Sequence, residues 1–345
     1  MKEGRINLYS DTQSRPTLAM RQAMLDAPVG DEQKGLDESV NRLCAHVAAL
    51  LGMETAVFLP SGTMCNEIAL LVHCRPGDEI YADQSSHLLH FEVGGPAALA
   101  GVNICGLSGN RGVYSADALA EAIRPPSRYA PRSSLVATEQ TANLGGGKVW
   151  SLAAVRAVGE AAKAYDLKLH MDGARLMNAV VASGVAAADY CRGFDSAWVD
   201  LSKGLGCPVG GVLAGSAAFI EEAWRWKQRI GGAMRQAGML AAAGLYAFEH
   251  HVERLAIDHA NARRLAEIVG QHEQIDLLVD EVETNILFID IAKTGKSSAE
   301  VVARLEEQGI NVGAFGKTQL RAVTHLDVSA EQIEEAGEAI LQLLR

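Results

Sequence analysis

The chain has 345 residues, 48% hydrophobic and 21% charged, a balance that suits a sizeable core and a length that allows a large domain plus a smaller one. Its formal net charge of −11, with no Lys/Arg cluster, argues against nucleic acid and anionic membrane as partners. Six cysteines without a C-x-x-C pair, no apolar h-region after Met1, and a longest apolar run (Met239 to Phe248) too short to span a bilayer point to a cytoplasmic protein with reduced thiols.

Residues 1–55 form a lead-in: a strand-like Ile6-Asn7-Leu8, a turn at Ser10-Asp11-Thr12, a short helix from Met20 to Leu25, and a helix over 38–51 on the spacing of Val40, Leu43, Val47 and Leu50, ended by Gly52. From Ala56 strands and helices alternate. Ala56–Leu59, Asp78–Tyr81, Val102–Cys105, Leu135–Thr138, Leu167–Met171 and Ser196–Leu201 read as strands. Helices are expected from Ser61 to about Cys74, over Ala116–Ile123, Leu152–Tyr165 and Arg175–Ser183. Val209–Leu213 returns as an antiparallel strand. This alternation predicts a mostly parallel sheet covered by helices on both faces, with ligands at the carboxyl ends of its strands. Helices follow at Ala217–Lys227, Met234–Phe248 and Val252–Gln271, the last joining a small α+β domain. Its strands fall near Glu283–Ile291, Asn311–Phe315 and Gln319–Val323, its helices at Ser298–Gln308 and Ala330–Leu344. The expected division is 1–250 for the large domain and 251–345 for the small one.

The chemistry gathers around Leu201-Ser202-Lys203-Gly204-Leu205-Gly206, where an apolar strand delivers one lysine into a glycine-rich turn. Lys203 can be an ordinary solvated turn residue, or an amine whose pKa desolvation lowers for a Schiff base with a carbonyl cofactor. Asp172, at the open end of its strand, can cap the following helix or pair with a pyridinium nitrogen. The fork of Arg175 suits a carboxylate or a phenolic oxygen. Ser61-Gly62-Thr63, where a strand becomes a helix, can cradle a phosphate. Amine, carboxylate, guanidinium and cradle are the set that pyridoxal phosphate needs. His87 and His90 lie three apart with no third ligand nearby, so no metal site is expected, and an imidazole stacked on a flat ring is the other option. Arg321 reads as a surface strand charge or as a clamp on a substrate carboxylate.

In chain order, Ser10-Asp11-Thr12 with Arg15-Pro16, Ala27–Asp31, Phe58–Thr63, His87 with Phe91-Glu92 and Gly94-Gly95, His170–Arg175, Ser202–Gly210, Gly231–Gln236 and Arg321–Val328 resemble the low-specificity L-threonine aldolases. These are fold-type I, aspartate-aminotransferase-like enzymes of the β-eliminating lyase superfamily that use pyridoxal phosphate. The resemblance implies that Lys203 carries the cofactor as a Schiff base, that Asp172 pairs with its ring nitrogen, and that His87 stacks on the ring and does acid/base work. It implies that Ser61, Gly62 and Thr63 hold the phosphate, with Arg235 reaching in from a neighbouring subunit, and that Ser10, Arg175 and Arg321 grip the substrate carboxylate. A homodimer would be the minimal active unit and a homotetramer the usual assembly.

The implied reaction is retro-aldol cleavage of L-threonine, L-allo-threonine or a bulkier analogue such as phenylserine to glycine and an aldehyde. Another lyase reaction (β-elimination) or transamination on the same fold is the alternative, and a non-catalytic cofactor-binding protein the third. The chain departs from the family pattern at Ala142, which stands where the family has a histidine, at Lys34 where it has a tyrosine, and at Gln228 where a lysine is common. Ala142 is expected to add room beside the substrate's β-carbon.

Overall fold

The computed structural model describes residues 5–279 and 281–344; the opening residues Met1–Gly4 lie outside them. The strands are β1 (Ile6–Asn7), β2 (Thr55–Leu59), β3 (Glu79–Asp83), β4 (Asn103–Leu107), β5 (Ser133–Glu139), β6 (Lys168–Asp172), β7 (Ser196–Asp200), β8 (Gly211–Gly215), β9 (Asp276–Leu277), β10 (Ile286–Asp290), β11 (Ile310–Asn311), β12 (Gly313–Phe315) and β13 (Gln319–Val323). Seven of them form one sheet in the order β2-β8-β7-β6-β5-β3-β4. All its pairs are parallel except those of β8, which runs antiparallel to both β2 and β7. Strands buried on both faces read as near-continuous apolar runs, which is why Ala56–Leu59 and Leu135–Ala137 were legible as strands.

Because β2, β3, β5, β6 and β7 point the same way, their carboxyl ends share one edge. There the chain leaves β2 for Ser61, β3 for the short helix His87–His90, β5 for Gln140, β6 for Gly173 and β7 for Lys203. The helix Gly62–His73 starts at once after β2, because Ser61 Oγ accepts the Met64 N–H at 3.2 Å and so satisfies one of the free donors of its first turn. Leu169, Met171, Val199 and Leu201 are in the main core, so His170 and Asp172 face the other way, as strand alternation requires.

The antiparallel return begins at Gly211, two residues later than the apolar run Val209–Leu213, because Gly210 turns with φ +107°. The helix expected from Met234 starts at Gly238, since the Met234 N–H is bonded to Glu32 Oε1 across the chain. The joining helix is Leu255–Val269. The small sheet has the order β12-β13-β10-β9, all antiparallel. Leu287 and Ile289 of β10 enter its core, while Phe288, opposite Arg321 of β13, faces the large sheet's edge. We propose a division into two domains near residue 251, with one crossing: β1 pairs in parallel with β11, and Ile6 and Leu8 pack in the C-terminal core. No helix among the described residues is long and apolar enough to cross a membrane.

Candidate active site

Lys203 follows β7 by three residues, and its Nζ lies 2.8 Å from Asp200 Oδ2 and 5.7 Å from the centre of the Trp198 ring. Its side chain is 14% exposed, so the amine sits at the mouth of the sheet rather than in bulk water. The Ser202 N–H and Oγ both donate to Asp200 Oδ1, which fixes the turn that presents the lysine. Beside it Asp172 is buried, accepting from Asn66 Nδ2 at 2.8 Å and from the Ala174 N–H at 3.0 Å. Burial pushes its carboxyl up, while the charges of His87 and Lys203 pull it down; the net direction is upward. Gly173 is obligatory here: a Cβ would stand 1.7 Å from the Trp198 carbonyl oxygen.

His87 opens the short helix after β3, where its backbone N–H donates to Glu139 Oε2 at 2.8 Å. The other Glu139 oxygen accepts from the Asn143 N–H, so one carboxylate ties the His87 helix to the loop after β5. Burial and the nearby Asp172 charge push Glu139 up to about 7. The His87 imidazole bonds Glu92 Oε1 through Nδ1 at 2.6 Å. Burial lowers the affinity of His87 for a proton, but the Glu92 bond and the charge of Asp172 outweigh it and the net direction is upward. His90 turns away to the Gln84 carbonyl at 2.8 Å.

The guanidinium of Arg175 is 4% exposed and already filled: Nε and Nη2 donate to Asp11 at 2.8 and 2.7 Å. Asn285 also donates to Asp11, at 3.1 Å. The carboxylate that this fork receives in the structure is therefore the chain's own. Ser10 is occupied as well, its Oγ capping the Thr12 N–H and accepting from Thr12 Oγ1. Arg321 is different. It is half-buried, its Nε is an unpartnered buried donor, and burial with the Arg175 charge pushes it down to about 10.

Ser61 and Thr63 are exposed in this chain and Gly62 half-buried. Gly62 lies flat on Trp198, where a Cβ would be 2.2 Å from the ring, so the helix N-terminus abuts the lysine strand. Arg235 is exposed and pairs with Asp31 at 3.4 Å. Lys34 and Gln228 are exposed too. Ala142 does not open a space. It is 3% exposed, and Gly112 approaches so closely that a Cβ there would lie 2.5 Å from Ala142 Cβ. The room left by the missing imidazole is filled by the 110–113 turn.

The residues fit pyridoxal phosphate on the structure's own terms: an amine at the mouth of the sheet, a buried carboxylate and an imidazole coupled to it, a spare buried guanidinium donor, and a helix N-terminus open to an anion. Sequence reading missed Asn66, Glu92, Asp200 and Glu139 as parts of the site; Asn66 and Glu139 act on partners 106 and 52 residues away, whereas Asp200 and Glu92 lie within five residues of Lys203 and His87 and stood in stretches already quoted.

A profile of the β-eliminating lyase family matches residues 7–294. Low-specificity L-threonine aldolase 1 of Arabidopsis thaliana is 39% identical over 333 residues, covering 95% of this chain and 93% of that one. The low specificity L-threonine aldolase of Escherichia coli K12 is 40% identical over 333 residues, covering 96% and 97%. Leishmania major threonine aldolase superposes with a TM-score of 0.84 at 19% identity, covering 99% of this chain and all of that one, which shows a shared fold. On the family match and these identities, the chain belongs to the β-eliminating lyase family, within its L-threonine aldolase branch.

Proposed function

We propose that this chain uses pyridoxal phosphate to cleave L-β-hydroxy-α-amino acids of the threonine class into glycine and an aldehyde. Bound to the substrate's amine, the cofactor supplies the sink for the electron pair released as Cα–Cβ breaks. Lys203 would hold the cofactor through its amine. Asp172 favours a proton on the ring nitrogen, because a buried carboxylate stabilises a positive charge beside it. Arg321 binds the substrate carboxylate and so sets which bond at Cα stands across the ring; Arg175 and Ser10 contribute through the Asp11 cluster. His87 takes the proton from the β-hydroxyl. Ser61, Gly62 and Thr63 receive the phosphate, and Arg235 serves the site of a partner subunit.

The observation that carries this reading is the meeting of Lys203, Asp172 and His87 from three strands, with Asp172 sensing the charge of both others. It is supported by the 40% identity to a named threonine aldolase over nearly the whole chain. An active homodimer or homotetramer is part of this reading, and the exposed Arg235, held only by Asp31, supports it as a group offered to a partner subunit. Six unpaired cysteines support a cytoplasmic location.

The test is glycine release from L-threonine, L-allo-threonine and phenylserine by wild type and Lys203→Ala. Glycine from any of them, lost in the variant with the yellow colour of the bound cofactor, supports the reading. Pyruvate and ammonia from serine with no glycine would move the chain to β-elimination. A keto-acid requirement would move it to transamination, and colour without turnover to a binding role. With Ala142 covered by Gly112, kcat/KM for phenylserine is not expected to exceed that for threonine through added room at this position.

A further inference from the structure

The hydrogen-bond polarity behind the cofactor site is fixed by one group. An indole N–H can only donate, and Trp198 Nε1 donates to Asn66 Oδ1 at 2.8 Å. That settles the Asn66 amide: its Nδ2 must face the other way, where it donates to Asp172 Oδ2 at 2.8 Å and to Glu92 Oε1 at 3.0 Å. It also settles the next two rings. His170 Nε2 must donate to Asn66 Oδ1 at 3.1 Å, so its Nδ1 accepts from Ser196, whose Oγ accepts in turn from His73 Nε2. One neutral amide thus bridges the carboxylate meant for the ring nitrogen and the carboxylate that holds His87.

A carboxylate offers only lone pairs, so at the 2.6 Å contact His87 Nδ1 carries the hydrogen and Glu92 Oε1 accepts it. Nε2 is then the nitrogen left without a hydrogen. Glu92 is wholly buried and its Oε2 has no partner; the neighbouring Glu67 is 3% exposed with both oxygens unpartnered. Around this pair stand Asp172 from β6, Glu139 from β5, and Lys203 after β7. We propose that Glu92 is the positioning residue of this site: it fixes the His87 tautomer with Nε2 free as the base and, through Asn66, ties that base to Asp172. Burial and the Glu92 charge push Glu67 up to about 8, which favours keeping the charge on Glu92 without a third carboxylate beside it.

This rests on the aldolase reading for the role of His87, but not for its geometry, and the test separates the two. The rate at which diethyl pyrocarbonate carbethoxylates His87 is followed against pH by peptide mass spectrometry in the holoenzyme, with and without removal of cofactor. In Glu92→Gln the midpoint for the reactive, unprotonated imidazole should fall by about one unit or more, because the anionic acceptor is gone. The acid limb of kcat should move down in pH with it, and kcat itself should fall on the order of 10–100-fold, a large part of what a general base contributes. His90→Gln, whose imidazole turns away to the Gln84 carbonyl, should leave both readouts unchanged. An unchanged His87 midpoint in Glu92→Gln overturns the proposal whatever the enzyme's substrate. A shifted midpoint with no glycine from any β-hydroxy amino acid keeps Glu92's role and overturns the aldolase reading instead.

Discussion

A guanidinium buried as deeply as that of Arg175 needs a counter-charge, and Asp11 provides it through two bonds of 2.7 and 2.8 Å. Burial alone would raise the Asp11 pKa. The Arg175 charge and bond, with the Lys203 charge, override it and hold the carboxyl well below the usual range. A lowered acid stabilises the fold above its unfolded pKa of about 3.9, and the contribution is lost as pH falls below it. Asp11→Asn removes the charge and leaves Arg175 uncompensated, at a cost of roughly 3–5 kcal/mol. Urea unfolding should show that deficit at pH 7 and a smaller one near pH 3; equal stability at pH 7 would mean that Asp11 is not the counter-ion. Lys203, Asp172 and His87 were legible because each ends a strand or starts a turn within a short motif. Asp11's bond to Arg175 was not, because it spans 164 residues, and Asn66 reaches Asp172 across 106. Local sequence carries no record of such distances.

Elements hold these residues in place by close approach. The helix Gly62–His73 can lie against Trp198 only because residue 62 has no Cβ. In Gly62→Ala the new methyl would enter the ring, so the helix start must shift and its free N–H groups leave their line with the anion. The Kd for pyridoxal phosphate, from absorbance titration of the stripped protein, should rise on the order of tenfold, about 1.4 kcal/mol; wild-type affinity would show that the helix N-terminus does not hold the phosphate. A second tie joins the short 3-10 helix Glu32–Lys34 to the helix Ala217–Arg229. Lys227 Nζ meets Glu32 Oε2 at 2.8 Å with both side chains fully buried, and the other Glu32 oxygen takes the Met234 N–H. The sequence ended that helix at Lys227, two residues short of the observed Arg229, and nothing local marked Lys227 as a buried lysine. Glu32→Ala should cost roughly 3–5 kcal/mol in thermal or urea unfolding, far more than the loss of an exposed pair such as Arg225–Glu221.

At the scale of the whole molecule, strand–helix alternation was enough to give the parallel sheet, because strands buried on both faces must be apolar throughout. It could not show that β1 joins β11, since a two-residue strand has no periodicity to read. Nor could it show how many ionisable groups the fold buries, and these set its response to pH. Burial pushes His170 down to about 3 and His73 and His259 to about 4, so the folded chain refuses protons that an unfolded imidazole takes up near 6.5. Stability from these three is present above that value and lost as pH falls toward 4. Glu139, up to about 7, and Glu67, up to about 8, work the other way: the fold keeps protons that the unfolded chain has released, and it loses stability as pH rises through 7–8. His87, raised by Glu92, adds to that alkaline loss. His251, also lowered by burial, adds to the acid loss, while Asp172 and Asp258, both pushed up by burial, add to the alkaline one, so the two sets oppose each other between about pH 5 and 6 and blunt the acid limb there. The Tm of the stripped protein should therefore fall steeply below about pH 5, where the carboxyls no longer oppose the histidines, and fall again from neutrality toward pH 9. Glu67→Gln should flatten the alkaline side, because an amide has no proton to lose. A Tm that climbs steadily through pH 9 would mean that Glu67 and Glu139 ionise freely in the fold, and that the carboxylates around His87 are better solvated than their burial implies.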